Sequence, residues 1–167
     1  MHRPAALLLA LAVGCSVAGS ACRKSDSGQR ALLELRPVLA SNPPPCPGKA
    51  PKKHELVRPK TTDGKTECLE LGQPIVDAKD VRSATVAEDP TGAPALSVVL
   101  GGVGSANLDG YAQRNQGKRL AIVTQGEVVS APVLQFTSFA GRIQVTGLSK
   151  EKTDDLFKRL NRLIQSG

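Results

Sequence analysis

The chain has 167 residues, a formal net charge of +7, no Trp, one Tyr and three Phe. That length allows one domain with a real core. The core must rest on Val, Leu, Ile and Ala, and so few aromatics argue against stacked recognition of bases or sugars.

Residues 1–21 have the pattern of a lipoprotein-type signal peptide: Arg3, an apolar run from Ala5 to Val13, then small residues up to Ala21. The apolar run is too short to span a bilayer as a mature helix. Ala18-Gly19-Ser20-Ala21-Cys22 is similar to a lipobox, although it lacks the usual Leu. Cysteine parity favours Cys22 as the lipidated residue. Cleavage there removes Cys15 and leaves Cys46 and Cys68 as a pair, whereas the other cleavage points leave an odd thiol. Two acyl chains on Cys22 suffice for an anchor on the outer side of the cytoplasmic membrane. The alternative is a freely secreted soluble protein.

Residues 22–30 have the composition of a flexible tether, and a folded domain is expected over 31–167. Leu32 to Leu39 is expected to be a strand, with Pro37 tolerated because the strand lies at an edge. Residues 41–66 hold six prolines and six or more bases without periodicity, so a long basic loop is expected. Cys46 and Cys68 flank that loop. A disulfide between them closes about 23 residues, and in the chain-entropy picture contributes ~3 kcal/mol. Secretion provides the oxidising compartment. A metal site is disfavoured because His54 is the one histidine outside the leader and the two cysteines are far apart.

Glu67 to Leu71 is expected to be a short strand, and Asp77 or Asp80 can start a helical turn. Val81 to Ala87 and Ala95 to Leu100 form a hairpin around the turn residues Asp89-Pro90-Thr91-Gly92. Leu100-Gly101-Gly102-Val103-Gly104 sits where a dinucleotide fingerprint belongs. Asn107 stands at its third glycine, however, and no ribose-binding acid follows, so no cofactor is expected. A helix capped by Ser105 and closed by Gly117 comes next. Lys118 to Leu148 has the pattern of a three-stranded meander, turning at Gln125-Gly126 and at Ala140-Gly141. A final amphipathic helix, capped by Ser149, presents Leu156, Phe157, Leu160, Leu163 and Ile164. The fold class is therefore α+β: a single domain with a mostly antiparallel or mixed sheet and two helices packed on one face.

Leu35-Arg36-Pro37-Val38-Leu39, Leu71-Gly72, Ser83-Ala84, Gly104, Arg114-Asn115, Gly117 to Val123, Gly126, Val128, Ser130-Ala131-Pro132-Val133, Gly141, Ile143 and Gly147 carry a family resemblance. Together they resemble the head subdomain of the first large extracytoplasmic domain of SecD and SecDF, membrane proteins of the protein-export machinery. The likeness covers most of the chain after Ala31 and is densest from Asn115 to Val133. The sequence departs from the family at Gln125, where an acid is common, and at Leu108, where an aromatic is common. SecD-type proteins also carry transmembrane helices and a base subdomain, for which this sequence shows no counterpart. The resemblance thus implies a module that contacts extended polypeptide or export components, not a proton-driven motor.

The second function class uses charge. Removing residues 1–21 takes away one base, Arg3, and no acid, leaving +6, concentrated between Lys49 and Lys65. An envelope lipoprotein can use such a loop to bind anionic lipid or cell-wall polymer. Nucleic acid is a poor partner for an exported protein without stacking aromatics. Catalysis has little support: His54 lies in the proline-rich stretch, the retained cysteines pair with each other, and the carboxylates are scattered. By expected exposure, Arg114, Lys118, Arg119, Glu127 and Gln144 are the candidate binding residues.

Overall fold

A computed structural model describes residues 31–46, 56–62 and 65–167, so Cys22, the leader and the tether lie outside the described residues. The first sheet contains β1 (Leu33–Asn42), β2 (Leu56–Thr62), β3 (Lys65–Leu71), the two-residue β4 (Val76–Asp77), β7 (Leu120–Thr124) and β8 (Glu127–Ser130). Its path is β2-β3-β1-β7-β8, with β4 beside the start of β1. All of its pairs are antiparallel. The sheet curls until β2 and β8, the ends of the path, lie alongside each other. The second sheet is β5-β6-β9, made from Val81–Glu88, Pro94–Leu100 and Arg142–Val145. Helix α1 (Gly102–Arg114) follows β6, and α2 (Lys150–Ser166) ends the chain. The α+β class holds.

Two cores result, divided by β1 and β7. Leu33 and Leu35 of β1 and Leu120 and Ile122 of β7 face the larger core, with Leu96, Val98 and Leu100 of β6, Leu108 of α1 and Leu156 and Leu160 of α2. The opposite face of β7 contributes Ala121 and Val123 to a smaller core inside the curled sheet, with Leu69, Leu71 and Val128. All five residues of β7 are therefore buried. A continuous apolar run is what a strand covered on both faces requires.

Charged pairs share the interior face of the curled sheet with the smaller core. Arg36 Nε donates to Glu34 Oε2 at 2.6 Å, and Arg36 Nη1 donates to the Gly72 carbonyl at 2.7 Å. Arg119 makes two hydrogen bonds to Glu67, at 2.9 and 2.6 Å. Period-two alternation puts Glu34 and Arg36 on the same face of β1 as Val38, and Arg119 in line with Ala121 and Val123.

Several expectations are corrected. Residues 56–62 form a strand rather than loop, paired along β3 from Leu56↔Leu71 to Thr62↔Lys65. Pro59 is compatible with this because β2 ends the sheet path and can leave one side of the proline unpaired. Pro37, by contrast, is in an interior strand. It sits where the neighbour of β1 changes from β4, at Leu35↔Val76, to β3, at Val38↔Leu71. The ladder is interrupted there, so a missing N–H is tolerated.

Helix α1 starts earlier than Ser105, because Gly101 N–H is tied to the Asp80 carbonyl at 2.7 Å and Gly101 becomes the cap. Gly104 then lies against the short turn Ala78–Asp80, where an added Cβ would stand 2.7 Å from Asp80 Cβ. The glycines of this segment thus serve close packing. Gly104→Ala is expected to cost about 1–3 kcal/mol in urea unfolding, because Asp80 is held by hydrogen bonds and cannot step aside. An unchanged midpoint would show that the contact relaxes freely.

The meander also divides. Gln125 and Gly126 turn with φ of 50° and 82° and join β7 to β8 as expected. Ala140 and Gly141 turn as well, with φ of 49° and 68°. The third strand, β9, pairs with β6 in the other sheet and not with β8.

Candidate functional site

The divided meander leaves a groove between the two sheets. One wall is the segment that continues β8, from Pro132 to Phe136, and the other is β9, with Arg142, Ile143 and Gln144. Leu35, Leu108, Leu120 and Ile122 of the larger core form its floor. Its volume is about 560 Å³, within the range of ligand-binding clefts. A second hollow of about 420 Å³ shares Ile122, Pro132 and Gln144 with the first and extends to Arg119, Ser130 and Thr146. The walls approach closely beyond it, where a Cβ on Gly147 would lie 3.4 Å from the Val129 carbonyl.

Both walls present main-chain groups to the groove. Leu100 N–H binds the Gly141 carbonyl at 2.8 Å, which fixes the alternation of β9. Ile143 and Val145 bond to β6, and the N–H and C=O of Gln144 point away from it. On the other wall, Leu120 N–H to Pro132 O and Leu134 N–H to Lys118 O bracket the bridge Arg119↔Val133. The N–H and C=O of Val133 therefore point away from β7. Val133 and Phe136 are exposed, by 50% and 67%, which is unusual for side chains of this kind flanking an apolar cleft.

The wall is fastened from behind by α1 and the turn that follows it. Gly117 N–H binds the Leu134 carbonyl, Gln116 Nε2 donates to Gln135 O, and Asp109 accepts from Ser138 Oγ and Phe139 N–H at 3.0 and 2.7 Å. A segment outside any strand is held in this way as a firm groove wall.

Of the five candidate binding residues, two border the groove. Gln144 lines it, and its side-chain amide donates to the Glu88 carbonyl. Arg119 lines the smaller hollow, but its guanidinium is engaged by Glu67 and the Ala131 carbonyl. The Glu67 hydrogen bonds raise its pKa above the ordinary value against the opposing effect of burial. Arg114 borders a separate hollow beside Pro74 and Ile75. Lys118 donates to Asn115 Oδ1, and Glu127 pairs with Lys152 of α2 at 3.0 Å. Sequence reasoning missed Val133, Phe136, Phe139 and Arg142. Two of the chain's three phenylalanines fall at 136 and 139, outside any apolar periodicity, and that was the available signal.

Cys46 and Cys68 form a disulfide with Cα atoms 5.2 Å apart. Among the described residues, no group of three or more His, Cys, Asp or Glu side chains can hold a metal ion. Within the same residues, no helix is long and apolar enough to cross a membrane.

The family model for the SecDF P1 head subdomain matches residues 54–162. The chain belongs to that family. It is 32% identical over 126 residues to the protein translocase subunit SecD of Aquifex aeolicus, covering 74% of this chain and 25% of that protein. With the protein translocase subunit SecDF of Thermus thermophilus the identity is 29% over 135 residues, covering 73% and 17%. A solved structure described as that of a membrane component SecDF that enhances protein export superposes with a TM-score of 0.56 at 25% identity, over 84% of this chain and 64% of that one. The chain spans a quarter or less of the length of these two translocase relatives. Both walls of the groove, residues 132–136 and 142–144, lie within the residues that the family model matches.

Proposed function

We propose that this chain is a non-catalytic, extracytoplasmic accessory of protein export that holds extended polypeptide in the groove between β8 and β9. The observation that carries the reading is the pair of main-chain positions, Val133 and Gln144, that border one apolar cleft and have no partner among the described residues. An extended segment can add to a free strand edge through its own N–H and C=O groups, while alternate side chains fill the cleft. Such binding tolerates many sequences because the main chain is common to all of them. Lipidation of Cys22 would hold the module at the outer side of the cytoplasmic membrane, with secretion as a soluble protein the alternative. The basic stretch from Lys49 to His54 lies outside the described residues, and no structural observation favours the reading in which it binds anionic lipid or wall polymer.

Photocrosslinking in cells tests the reading, with a photoreactive residue at Val133, Phe136 or Gln144 and, as a control away from the groove, at Glu127. Exported chains or channel subunits should be captured from the three groove positions and not from Glu127. Val133→Asp places a charge in the cleft at a half-exposed position, so the fold should survive while capture falls about tenfold or more. Equal capture from all four positions would remove the groove from the mechanism.

A further inference from the structure

The groove has a sign as well as a shape. Among the described residues its two hollows are lined by Arg119 and Arg142 and by no carboxylate. Arg119 is neutralised by Glu67, but Arg142 is exposed and its guanidinium has no partner among the described residues. The nearby acids are turned to other tasks or stand outside. Asp109 is held by Ser138 and Phe139 behind the wall, and Glu88 meets Gln144 through its main-chain carbonyl without lining the cleft. Arg142 opens β9 at the Phe139 end of the groove, where its N–H binds the Phe139 carbonyl. The opposite end narrows at Gly147 and Val129.

We propose that the groove selects extended apolar segments carrying a carboxylate at the flank that emerges beside Arg142, and disfavours the same segments with a basic flank. The apolar floor sets the requirement for alternating hydrophobic side chains. The uncompensated guanidinium at the mouth attracts an Asp, a Glu or a free C-terminal carboxylate and repels Lys or Arg. The inference rests on the polypeptide-binding reading above and adds to it a preference by charge.

The test uses the full chain and three fluorescein-labelled peptides with one alternating Leu-Thr centre, flanked at both ends by two Glu, two Ser or two Lys, with binding read by anisotropy. The Glu-flanked peptide should bind about two- to fivefold more tightly than the Ser-flanked one, as expected for one exposed ion pair, and the Lys-flanked peptide more weakly than either. The order should collapse in 0.5 M salt, roughly twice the screening of physiological buffer. Arg142→Glu should invert the order of the Glu-flanked and Lys-flanked peptides. If all three peptides bind equally and compete with one another, the charge preference is overturned and the polypeptide-binding reading stands. If none binds, both are overturned.

Discussion

Glu34→Ala should lower the unfolding free energy by about 3–5 kcal/mol, the usual cost of leaving one member of a buried ion pair uncompensated. Glu34 and Arg36 are 8% and 9% exposed, next to each other on one face of an interior strand. With the carboxylate gone, the Arg36 guanidinium keeps its hydrogen bond to the Gly72 carbonyl but has no counter-charge in a site closed to water. Equilibrium urea unfolding measures the loss. The double variant Glu34→Leu, Arg36→Leu should lose much less than Glu34→Ala alone, because the charge is removed along with its partner, although the Gly72 carbonyl then forfeits a donor. A Glu34→Ala loss below about 1 kcal/mol would mean that water screens the pair and that it behaves as a surface salt bridge.

Cys46→Ala should cost about 3 kcal/mol through the added freedom of the unfolded chain, for a bridge whose partners are 22 positions apart in sequence. The loss has a local component too. Cys68 lies in the middle strand of three, facing Asn42 of β1 and Pro59 of β2, so the disulfide ties the far end of β1 to the strand that carries Leu69 and Leu71 into the smaller core. Hydrogen exchange should therefore speed up in β2 and at the end of β1 while β5, β6 and α2 keep their protection. Dithiothreitol should shift the wild-type unfolding midpoint by a similar amount and leave the variant unmoved. Identical midpoints in all four conditions would show that the loop is closed by other contacts.

These predictions concern the small core, which was the less legible half of the molecule. Glu34 and Arg36 have an ordinary polar-in-strand appearance, and nothing local distinguishes an exposed alternate face from one covered by a curling sheet. β7 has the same ambiguity. Ala121 and Val123 are as buried as Leu120 and Ile122, although the simplest reading of the run is a strand with one apolar face. The larger core was easier because its helix repeats and hairpin are local patterns. Leu156 and Leu160 are one turn apart, and the turn at Asp89 is built by hydrogen bonds from Thr91 and Ala93 to one carboxylate.

By itself, the sequence determined the elements whose causes are short-range: the β5-β6 hairpin, the two-residue turn at Gln125-Gly126, the cap at Ser149, the amphipathic last helix and the family to which the chain belongs. It also placed Cys46 and Cys68 as the pair to be joined. Only the tertiary structure decided which strands become neighbours. The Ala140-Gly141 turn directs β9 to β6 instead of β8, because Ile143 and Val145 complete the apolar face begun by Leu96 and Val98. That choice buries one face of β9 and leaves the main-chain groups of Gln144 on its edge, and of Val133 in the segment after β8, without partners among the described residues. The groove is made by long-range pairing, which no window of residues along the chain encodes.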